Sequence, residues 1–468
     1  MSKKSAARST PPAQAPLSIV ILAAGEGKRM RSELPKVLQP LAGRALLAHV
    51  IDTSRTLAPA AIYVVYGHGG ERVREALAQA PVTWVQQAQR LGTGHALRQA
   101  IPNVPDDHTV LVLYGDVPLI GRGTLEQLLS RVAARTLALL TVRLAEPHGY
   151  GRIVRDARGR VRRIVEQKEA RGRELALREC NTGVLACRAG LLKGWLERLR
   201  RDNAQGEYYL TDVIAQAVRQ KLLVQPLLAA DASEVLGVND KAQLAHLEGI
   251  VRARTAHALM LAGVTLADPA RLDVRGTLTH GQDVYLDVNV VIEGRVHLGD
   301  RVRVGPGCML RDCELGADTE VFAHCVIERA VIGERCNIGP FARFRPSSTL
   351  AAGVHIGNFV EVKNSQLGAL SKANHLAYLG DAQLGERVNI GAGTIIANYD
   401  GANKHRTVIG DDVHTGSNSV LVAPIVVGAG ATIGAGSTVT QAVPAGKLTV
   451  ARARQATIED WQRPKRSK

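Results

Sequence analysis

Residues 331–357 read VIGERCNIGPFARFRPSSTLAAGVHIG, with an aliphatic residue directly before glycine at Ile332, Ile338 and Ile356. The same pairing recurs over a much longer stretch of the chain. The aliphatic members of the thirteen pairs are Leu298, Val304, Leu315, Ile332, Ile338, Ile356, Leu367, Leu379, Leu384, Ile390, Ile409, Val427 and Ile433. Successive gaps of 6, 11, 17, 6, 18, 11, 12, 5, 6, 19, 18 and 6 are each within one residue of a multiple of six. This regularity indicates a hexapeptide repeat.

A hexapeptide repeat predicts a parallel β-helix. Each unit forms one short flat strand and one turn, and three units close a triangular coil. The aliphatic side chain points inward, and the glycine fits where a Cβ would clash. We expect a left-handed β-helix, because such flat strands escape the twist that makes ordinary crossovers right-handed. Departures from six predict loops extruded at 310–314 and 398–406.

The chain before the repeat has a different pattern, in which short apolar runs alternate with helix-like segments. Leu17–Ala24, Ile62–Tyr66 and Val110–Tyr114 are predicted strands, and Arg44–Ser54 and Gly70–Ala80 are predicted helices. This alternation predicts an α/β, Rossmann-like domain with a mainly parallel sheet. The predicted organisation is a domain over 1–241 with a disordered tail at 1–16, a linker helix over 242–262, and a β-helix domain over 263–468 ending in a basic tail.

The charge, the aromatic content and the cysteine spacing of the chain limit the kinds of partner and site that it can have. The 468 residues carry 59 Lys and Arg against 43 Asp and Glu, a net charge of +16. The basic stretches lack the aromatic residues that stack on bases, so we expect no nucleic-acid partner. We also expect no membrane span, since the uncharged run from Asp412 to Lys447 is broken by prolines. Six cysteines without Cys-x-x-Cys spacing predict core residues in a reducing compartment rather than a disulfide or metal framework.

A glycine-containing loop, Leu22-Ala23-Ala24-Gly25-Glu26-Gly27-Lys28-Arg29-Met30, follows the first predicted strand. Backbone amides in such a loop approach phosphates closely. A dinucleotide site is one alternative, but its third glycine is replaced by Met30. Arg29 and Lys36 add two cations, which favours a nucleoside triphosphate.

A second element, Tyr114-Gly115-Asp116, follows another predicted strand. A carboxylate at the carboxyl end of a parallel strand is well placed to hold Mg²⁺, although a turn aspartate is an equal alternative. Further candidate elements of the same site follow along the chain. They are Gln87, Gly92-Thr93, Gly149–Arg152, Glu166, Asn181–Gly183 and Gly237–Asn239.

Reactive side chains also cluster where the hexapeptide repeat is irregular. Arg345 and Lys363 are separated by three hexapeptide units, which places them on one corner in successive coils, as a phosphate would require. His375 lies two hexapeptide units beyond Lys363. A lone histidine is more often a surface residue, but two stacked cations and Tyr378 nearby favour a functional role.

Together these motifs resemble the bacterial family of bifunctional N-acetylglucosamine-1-phosphate uridylyltransferase/glucosamine-1-phosphate N-acetyltransferase. The resemblance covers about residues 17–455. Its motifs in chain order are LAAGEGKRM, LPK, QQAQRLGTGHA, LYGDVPLI, GYGRI, IVEQK, NTG and GVN, then ARFRP, VEVK, HLAYLGDA, NIGAG and NYDGANK. The first eight belong to the uridylyltransferase half and the remainder to the acetyltransferase half.

For the uridylyltransferase, the resemblance implies a triphosphate role for Arg29 and Lys36, the predicted catalytic cations. It implies that Asp116 and Asn239 bind Mg²⁺. The implied nucleotide- and sugar-binding residues are Leu22, Ala23, Ala24, Gly25, Lys36, Gln87, Gly92, Thr93, Tyr114, Gly115, Asp116, Gly151, Glu166, Asn181 and Asn239.

For the acetyltransferase, the resemblance implies that His375 is the general base. Arg345, Lys363, Tyr378 and Asn389 would bind the sugar phosphate. The implied acetyl-CoA site consists of Ala392, Asn398, Tyr399, Ser417, Ala435 and Arg452. The family packs its β-helices as trimers, with the acetyl site between subunits.

The sequence therefore predicts a cytoplasmic, homotrimeric, bifunctional enzyme. Its expected small-molecule partners are UTP, acetyl-CoA, glucosamine-1-phosphate and N-acetylglucosamine-1-phosphate, with Mg²⁺ as cofactor. One alternative is a monofunctional pyrophosphorylase whose β-helix only oligomerises. A second is a non-catalytic, RNA-associated subunit, and a third is the same enzyme class acting on another nucleotide or hexose phosphate.

Overall fold

The structure, a computed structural model, describes residues 15–67, 70–464 and 466. Most of the predicted disordered tail and part of the predicted basic end lie outside the described residues. The chain forms two compact units, Met1–Ile250 and Val251–Lys468. Within the described residues, no helix combines the length and apolar character that a membrane crossing needs.

The first unit is an α/β domain around one large sheet, and its helices pack on both faces. Its elements are β1 (Leu17–Ala23), β2 (Pro40–Leu41), β3 (Arg44–Ala45), α1 (Leu46–Arg55), β4 (Ala61–Gly67), α2 (Glu71–Ala76), β5 (Thr83–Gln87), α3 (Thr93–Ala100), β6 (Thr109–Tyr114), α4 (Arg122–Leu129), β7 (Thr136–Arg143), β8 (Arg152–Arg155), β9 (Val161–Val165), β10 (Glu179–Arg188), α5 (Ala189–Glu197), α6 (Asp212–Arg219) and β11 (Leu223–Leu228). Helix α7 (Lys241–Leu261) begins in this unit and ends in the second. Short 3-10 turns cover Lys28–Met30, Lys36–Leu38, Ile101–Asn103, Gly172–Glu174, Ala232–Val235 and, beyond α7, Pro269–Arg271.

The strand order of the sheet is β11-β7-β10-β6-β1-β4-β5. Pairing is parallel except at β10, which runs antiparallel to both neighbours, and β8 and β9 form a hairpin on the end of β10. The central strands are apolar runs because both faces are covered. Ile19 and Ile21 pack on one face of β1 and Val20 on the other, each completely buried. The carboxyl ends of β1 and β6 meet at one edge, where this fold class places ligands.

The second unit is a parallel β-helix with three faces, as the repeat predicts. The first face consists of Thr265–Leu266, Tyr285–Leu286, Arg303–Val304, Glu320–Val321, Asn337–Ile338, His355–Asn358, Lys372–His375, Asn389–Ile390, His414–Thr415, Thr432–Ile433 and Leu448–Thr449. The second consists of Asp273–His280, Val291–Leu298, Met309–Arg311, Val326–Glu328, Arg343–Phe344, Glu361–Lys363, Tyr378–Gly380, Ile395–Ala397, Val420–Val422 and Thr438–Val439. The third continues from the ends of the first two long strands through Glu314–Leu315, Ala330–Ile332, Ser348–Leu350, Gln366–Leu367, Ala382–Leu384, Thr407–Ile409 and Ile425–Val427.

The aliphatic residues of the repeat fill the interior of the β-helix, from Leu298 to Ile433. At many of these positions the following glycine is required by the neighbouring coil. A Cβ on Gly316, for example, would lie 2.7 Å from the backbone nitrogen of Glu334. Real Cβ atoms do not approach that closely, so the repeat keeps glycine where two coils touch.

The two predicted loops have different outcomes. The coil in which Ile395 pairs with Val420 is longer than a regular coil such as the one that pairs Asn337 with His355. The additional residues of that coil form the extruded loop at 398–406, as predicted. The loop predicted at 310–314 is wrong. Met309 pairs with Val326, so the irregular spacing there marks a coil one residue shorter than the regular one.

Candidate active sites

A cavity of about 470 Å³ lies at the carboxyl edge of the sheet in the first unit. Its lining includes nearly all the residues assigned from the sequence to the nucleotide. The lining residues are Leu22, Ala23, Ala24, Gly25, Glu26, Lys36, Val37, Gln87, Arg90, Gly92, Thr93, Ala96, Tyr114, Asp116 and Glu207. Gly115 lies beside it, and its N–H donates to the carbonyl of Leu22 at 2.9 Å.

The glycine-containing loop folds back onto Lys36. Gly27 adopts a left-handed conformation with φ of 69°, and a Cβ there would lie 2.7 Å from the Cβ of Lys36. Glycine at this position therefore lets Lys36 enter the cavity. Arg29 behaves differently. It lies exposed on the turn Lys28–Met30 and is not among the cavity-lining residues.

Lys36, Asp116 and Asn239 converge at the cavity. The ammonium of Lys36 forms an ion pair with the carboxylate of Asp116, and its Nζ lies 3.4 Å from Oδ1 of Asn239. The side chains of Lys36 and Asp116 are only 11% and 17% exposed. Asn239 is held near because Val238 donates its N–H to the carbonyl of Asp116 at 2.9 Å. A carboxylate and an amide oxygen thus face one positive centre.

This donor set fits Mg²⁺. Magnesium in proteins takes one or two side-chain oxygens and completes its shell with water and substrate phosphates. Asp116 and Asn239 supply two oxygens that already face the same cationic group, the ammonium of Lys36. These two residues would therefore hold the metal, and Lys36 would turn to the phosphates when the metal binds.

Side-chain hydrogen bonds hold the loop between β5 and α3. Gln87 is buried, and its Nε2 donates to the carbonyl of Gly92 at 3.2 Å and to Nδ1 of His95 at 2.9 Å. Gly92 has φ of 99°. Oγ1 of Thr93 accepts a hydrogen bond from the N–H of Leu210 at 3.2 Å. These bonds fix the backbone that faces the cavity.

The residues assigned to the sugar lie at the two ends of the β8–β9 hairpin and at the start of β10. Asn181 donates its N–H to the carbonyl of Gly151 at 2.8 Å. Oε1 of Glu166 accepts a hydrogen bond from Thr211 at 3.0 Å. A Cβ on Gly151 would lie 2.9 Å from Cγ2 of Ile164, so a larger residue would clash with that side chain, and it would be in ordinary contact with the Glu166 carboxylate at 3.5 Å. Burial is the main cause that raises the pKa of Glu166.

Tyr114 interacts both with residues assigned to the nucleotide and with a residue assigned to the sugar. Its hydroxyl is hydrogen-bonded to Thr93, and its pKa is raised by burial and by the carboxylates of Glu166 and Asp116. A Cβ on Gly183 would lie 2.4 Å from the Tyr114 ring, so this glycine makes room for the ring.

Sequence reasoning did not assign Arg90 or Glu207 to this cavity, which they line. Glu26, on the glycine loop, lies 3.2 Å from Nη1 of Arg90. Arg90 belongs to the QQAQRLGTGHA motif, but the motif does not show that the Arg90 side chain points into the cavity.

In the β-helix, Arg345 and Lys363 lie in successive coils, as their spacing predicts. Strand register pairs Phe344 with Val362, and Arg345 donates its N–H to the carbonyl of Val362 at 2.9 Å. A third cation, Lys404 on the extruded loop, reaches the same place. Contact with Lys404, together with Arg345, lowers the pKa of Lys363. Lys404 lies within the NYDGANK motif, but only the fold shows which way the loop turns.

His375 is exposed at the end of a first-face strand. Its Nδ1 lies 3.0 Å from Oδ1 of Asn358, its register partner in the preceding coil. The Asn358 oxygen selects the tautomer with hydrogen on Nδ1, which leaves Nε2 as the free acceptor. Asn358 was not among the predicted residues, because the contact depends on coil register.

Ala392, Ser417, Ala435 and Arg452 form one column across successive coils. Asn418 donates its N–H to the carbonyl of Ala392, and Gly436 does the same to Ser417, at 2.7 and 2.8 Å. Nη1 of Arg452 donates to the carbonyl of Ala435 at 2.6 Å. Three of the four residues have small side chains, and the column ends at the cation Arg452.

The remaining predicted acetyltransferase residues are placed individually. Asn398 is buried and donates to the carboxylate of Asp381, whereas Tyr399 is exposed on the extruded loop. Tyr378 pairs with Glu361 in the coil below, and Asn389 pairs with Lys372.

Known protein families match both units. A MobA-like NTP transferase domain matches residues 19–182, a GMPPB C-terminal domain matches 274–367, and six repeats of the bacterial transferase hexapeptide match 406–441. Among curated proteins, the bifunctional protein GlmU of Azoarcus sp. is 58% identical, over 96% of this chain and 99% of its own length. The chain belongs to the GlmU family.

Two other GlmU proteins agree with this assignment. That of Cupriavidus pinatubonensis is 57% identical over 96% of this chain and 99% of its own. That of Stenotrophomonas maltophilia is 56% identical over 96% and 98%. As a GlmU family member, the protein is a bifunctional enzyme, a uridylyltransferase and an acetyltransferase, and its β-helix is of the left-handed hexapeptide type. Nothing in these matches favours the monofunctional alternative.

Proposed function

We propose that residues 1–241 transfer UMP from UTP to N-acetylglucosamine-1-phosphate, and that residues 263–468 transfer acetyl from acetyl-CoA to glucosamine-1-phosphate, with 242–262 as the linker between them. The observation that carries the first assignment is the convergence of Lys36, Asp116 and Asn239 at the cavity edge. The product of acetyl transfer would be the substrate of uridylyl transfer.

In uridylyl transfer, a phosphate oxygen of the sugar phosphate attacks the α-phosphorus of UTP. One phosphorus–oxygen bond forms, and the bond to pyrophosphate breaks. No protein nucleophile is needed, so the enzyme acts by positioning and by neutralising charge. Lys36 would contact the triphosphate, and the backbone of Leu22–Gly25 with Gln87, Gly92 and Thr93 would hold the nucleotide. Arg29 would reach the triphosphate only by turning inward from its exposed position.

Mg²⁺ bound to Asp116 and Asn239 would neutralise phosphate charge. The sugar would lie toward Gly151, Glu166 and Asn181. The half-buried Glu166 carboxylate suits a sugar hydroxyl, which it can bind as an acceptor.

In acetyl transfer, Nε2 of His375 would take a proton from the amino group of glucosamine-1-phosphate. The nitrogen would attack the thioester carbonyl carbon, a carbon–nitrogen bond would form, and the carbon–sulfur bond would break. The departing thiolate would take the proton from His375 and leave as the CoA thiol. Asn358 would accept a hydrogen bond from Nδ1 of His375 and so keep Nε2 unprotonated and available as the base. Arg345, Lys363 and Lys404 would bind the sugar phosphate, with Tyr378 and Asn389 beside it.

The column of Ala392, Ser417 and Ala435 would accept the pantetheine arm, and Arg452 would bind a CoA phosphate. Asn398 and Tyr399 would flank this column from the extruded loop. These roles rest on residue type and on the register that aligns the column.

We infer a homotrimer assembled through the β-helix. An apolar corner column next to His375 supports this inference. Phe341, Phe359 and Leu376 are 47%, 56% and 60% exposed, and the two phenylalanine rings stack 5.4 Å apart. An apolar strip of this kind is typical of a surface covered by another chain. Six buried free cysteines fit a reducing compartment, which supports a cytoplasmic enzyme.

The direct test of the first assignment is pyrophosphate release by the purified full chain. We expect release with UTP and N-acetylglucosamine-1-phosphate, abolished by chelation of Mg²⁺. CTP and glucose-1-phosphate serve as matched controls. Equal rates with the control substrates would overturn the substrate assignment.

A further inference from the structure

Thr211 holds a specific contact with Glu166 that lies outside the assigned site residues. Its Oγ1 donates to Oε1 of Glu166 at 3.0 Å, and both residues are half-buried. Thr211 directly precedes helix α6. Its hydroxyl therefore bonds across to the carboxylate instead of capping its own helix.

The backbone before Thr211 is fixed by the nucleotide loop. Tyr208 donates its N–H to the carbonyl of Leu91, and Gly94 donates to the carbonyl of Tyr208, both at 2.8 Å. Leu210 donates its N–H to Oγ1 of Thr93 at 3.2 Å. The position of the Thr211 hydroxyl is therefore set by the same loop that faces the nucleotide.

The surroundings of Glu166 oppose its ionised form. Burial raises its pKa, and so do the nearby carboxylates of Glu169 and Asp212. Together with burial, the Glu166 charge raises the pKa of the Tyr114 and Tyr209 phenols. The hydrogen bond from Thr211 acts in the opposite direction and lowers the pKa of Glu166.

We propose that Thr211 is a positioning residue for the sugar phosphate, whose hydroxyl holds Oε1 of Glu166 and so orients the carboxylate for Oε2 to accept a sugar hydroxyl. This proposal rests on the proposed uridylyl-transfer function. Without the Thr211 hydroxyl, the carboxylate protonates at a higher pH and can rotate. A protonated carboxyl offers the sugar one acceptor fewer, so affinity for the sugar phosphate falls as the pH falls.

The test compares Thr211→Val, which removes the hydroxyl and keeps the shape, with Thr211→Ser, which retains the donor. KM values for N-acetylglucosamine-1-phosphate and for UTP are measured from pH 6 to 8.5. For Thr211→Val we expect the sugar-phosphate KM to rise by about threefold to tenfold, and by more at pH 6 than at pH 8.5. The UTP KM should stay within about twofold, and Thr211→Ser should restore the wild-type profile.

Thr136→Val is the matched control, because it removes another buried threonine hydroxyl, at the amino end of β7. A double-mutant cycle with Glu166→Gln adds a second readout. With an amide in place of the carboxylate, the pH-dependent effect of Thr211→Val should disappear.

A pH-independent rise in both KM values, or an unchanged sugar-phosphate KM in Thr211→Val, would overturn the proposal. Persistence of the effect in the Glu166→Gln background would do the same. Wild-type uridylyl transfer is measured first. Its absence would overturn the proposed function itself, and so the two failures are distinguishable.

Discussion

The two units build their sites in opposite ways. In the α/β unit, loops from several strands converge on one cavity, and the side chains of Lys36 and Asp116 are almost completely enclosed. In the β-helix, His375 and Tyr399 lie exposed, on stacked flat coils that form no enclosing walls around them. A twisted sheet with loops at one edge can complete a site within one chain. A β-helix supplies aligned columns of side chains, and in the proposed trimer a second copy would supply the opposite wall.

The largest expected effect is on the enclosed site. Asp116→Ala removes the carboxylate that pairs with Lys36 and faces the proposed metal position. We expect uridylyl transfer to fall by about 10³-fold, because charge neutralisation supplies most of the catalysis. Pyrophosphate release measures it, with acetyl transfer from the same sample as reference. Asp106→Ala is the matched control, since Asp106 also pairs with a lysine, but on the surface. Uridylyl transfer at the wild-type rate would remove Asp116 from the site.

Removing the proposed base should lower acetyl transfer and spare uridylyl transfer, the reverse of the Asp116→Ala result. His375→Ala should lower acetyl transfer by about 10²- to 10⁴-fold, the usual contribution of a general base. Uridylyl transfer should be unchanged. His297→Ala provides a matched control, because His297 is another exposed, hydrogen-bonded histidine of the β-helix. If the control loses as much activity as His375→Ala, the loss reflects the scaffold and not a base.

The open site should depend on assembly, and the enclosed site should not. Phe359→Asp places a charge in the exposed apolar column. We expect sedimentation to show smaller species and acetyl transfer to fall at least about tenfold at low protein concentration, because burying an unpaired charge is costly. Uridylyl transfer in the same sample is the internal control. A monomeric variant with full acetyl transfer would contradict the two-chain site.

The smallest effect concerns pH. Lys404 and Arg345 lower the pKa of Lys363, so Lys363 loses its charge at a lower pH than an isolated lysine. The KM for glucosamine-1-phosphate should therefore rise as the pH increases through this lowered value. Lys404→Met should raise that pKa and move the rise to higher pH, by less than about one unit, because exposed charges interact weakly. An unchanged alkaline limb would show that Lys363 does not contribute charge to phosphate binding.

Much of this could be predicted from the sequence, for different physical reasons in the two units. The repeat fixes the β-helix because each aliphatic–glycine pair meets its counterpart one coil away. The spacing of Arg345 and Lys363 therefore predicts that the two residues lie at corresponding positions of successive coils. In the α/β unit, residues directly after buried strands gathered at one edge, as parallel topology requires.

The sequence does not show side-chain direction where that direction depends on the local backbone or on coil register. Arg29 adjoins the glycine loop but points outward, since left-handed residues on both sides, Gly27 and Arg31, fix the turn that carries it. Asn358 and Lys404 become partners of His375 and Lys363 only through coil register and loop direction. The loop prediction near 310–314 is wrong because the gap of 11 between Val304 and Leu315 is one residue less than twelve. A shortfall marks a shortened coil, whereas an inserted loop lengthens the gap.

The most direct test of the claim that the β-helix carries its own chemistry is the release of CoA thiol by the purified chain. Acetyl-CoA is supplied with glucosamine-1-phosphate, and glucosamine-6-phosphate is the matched control. We predict thiol release with the 1-phosphate alone, lost in His375→Ala and retained in Asp116→Ala. No release from a folded oligomer that still produces pyrophosphate from UTP would contradict the account and leave the β-helix as a scaffold.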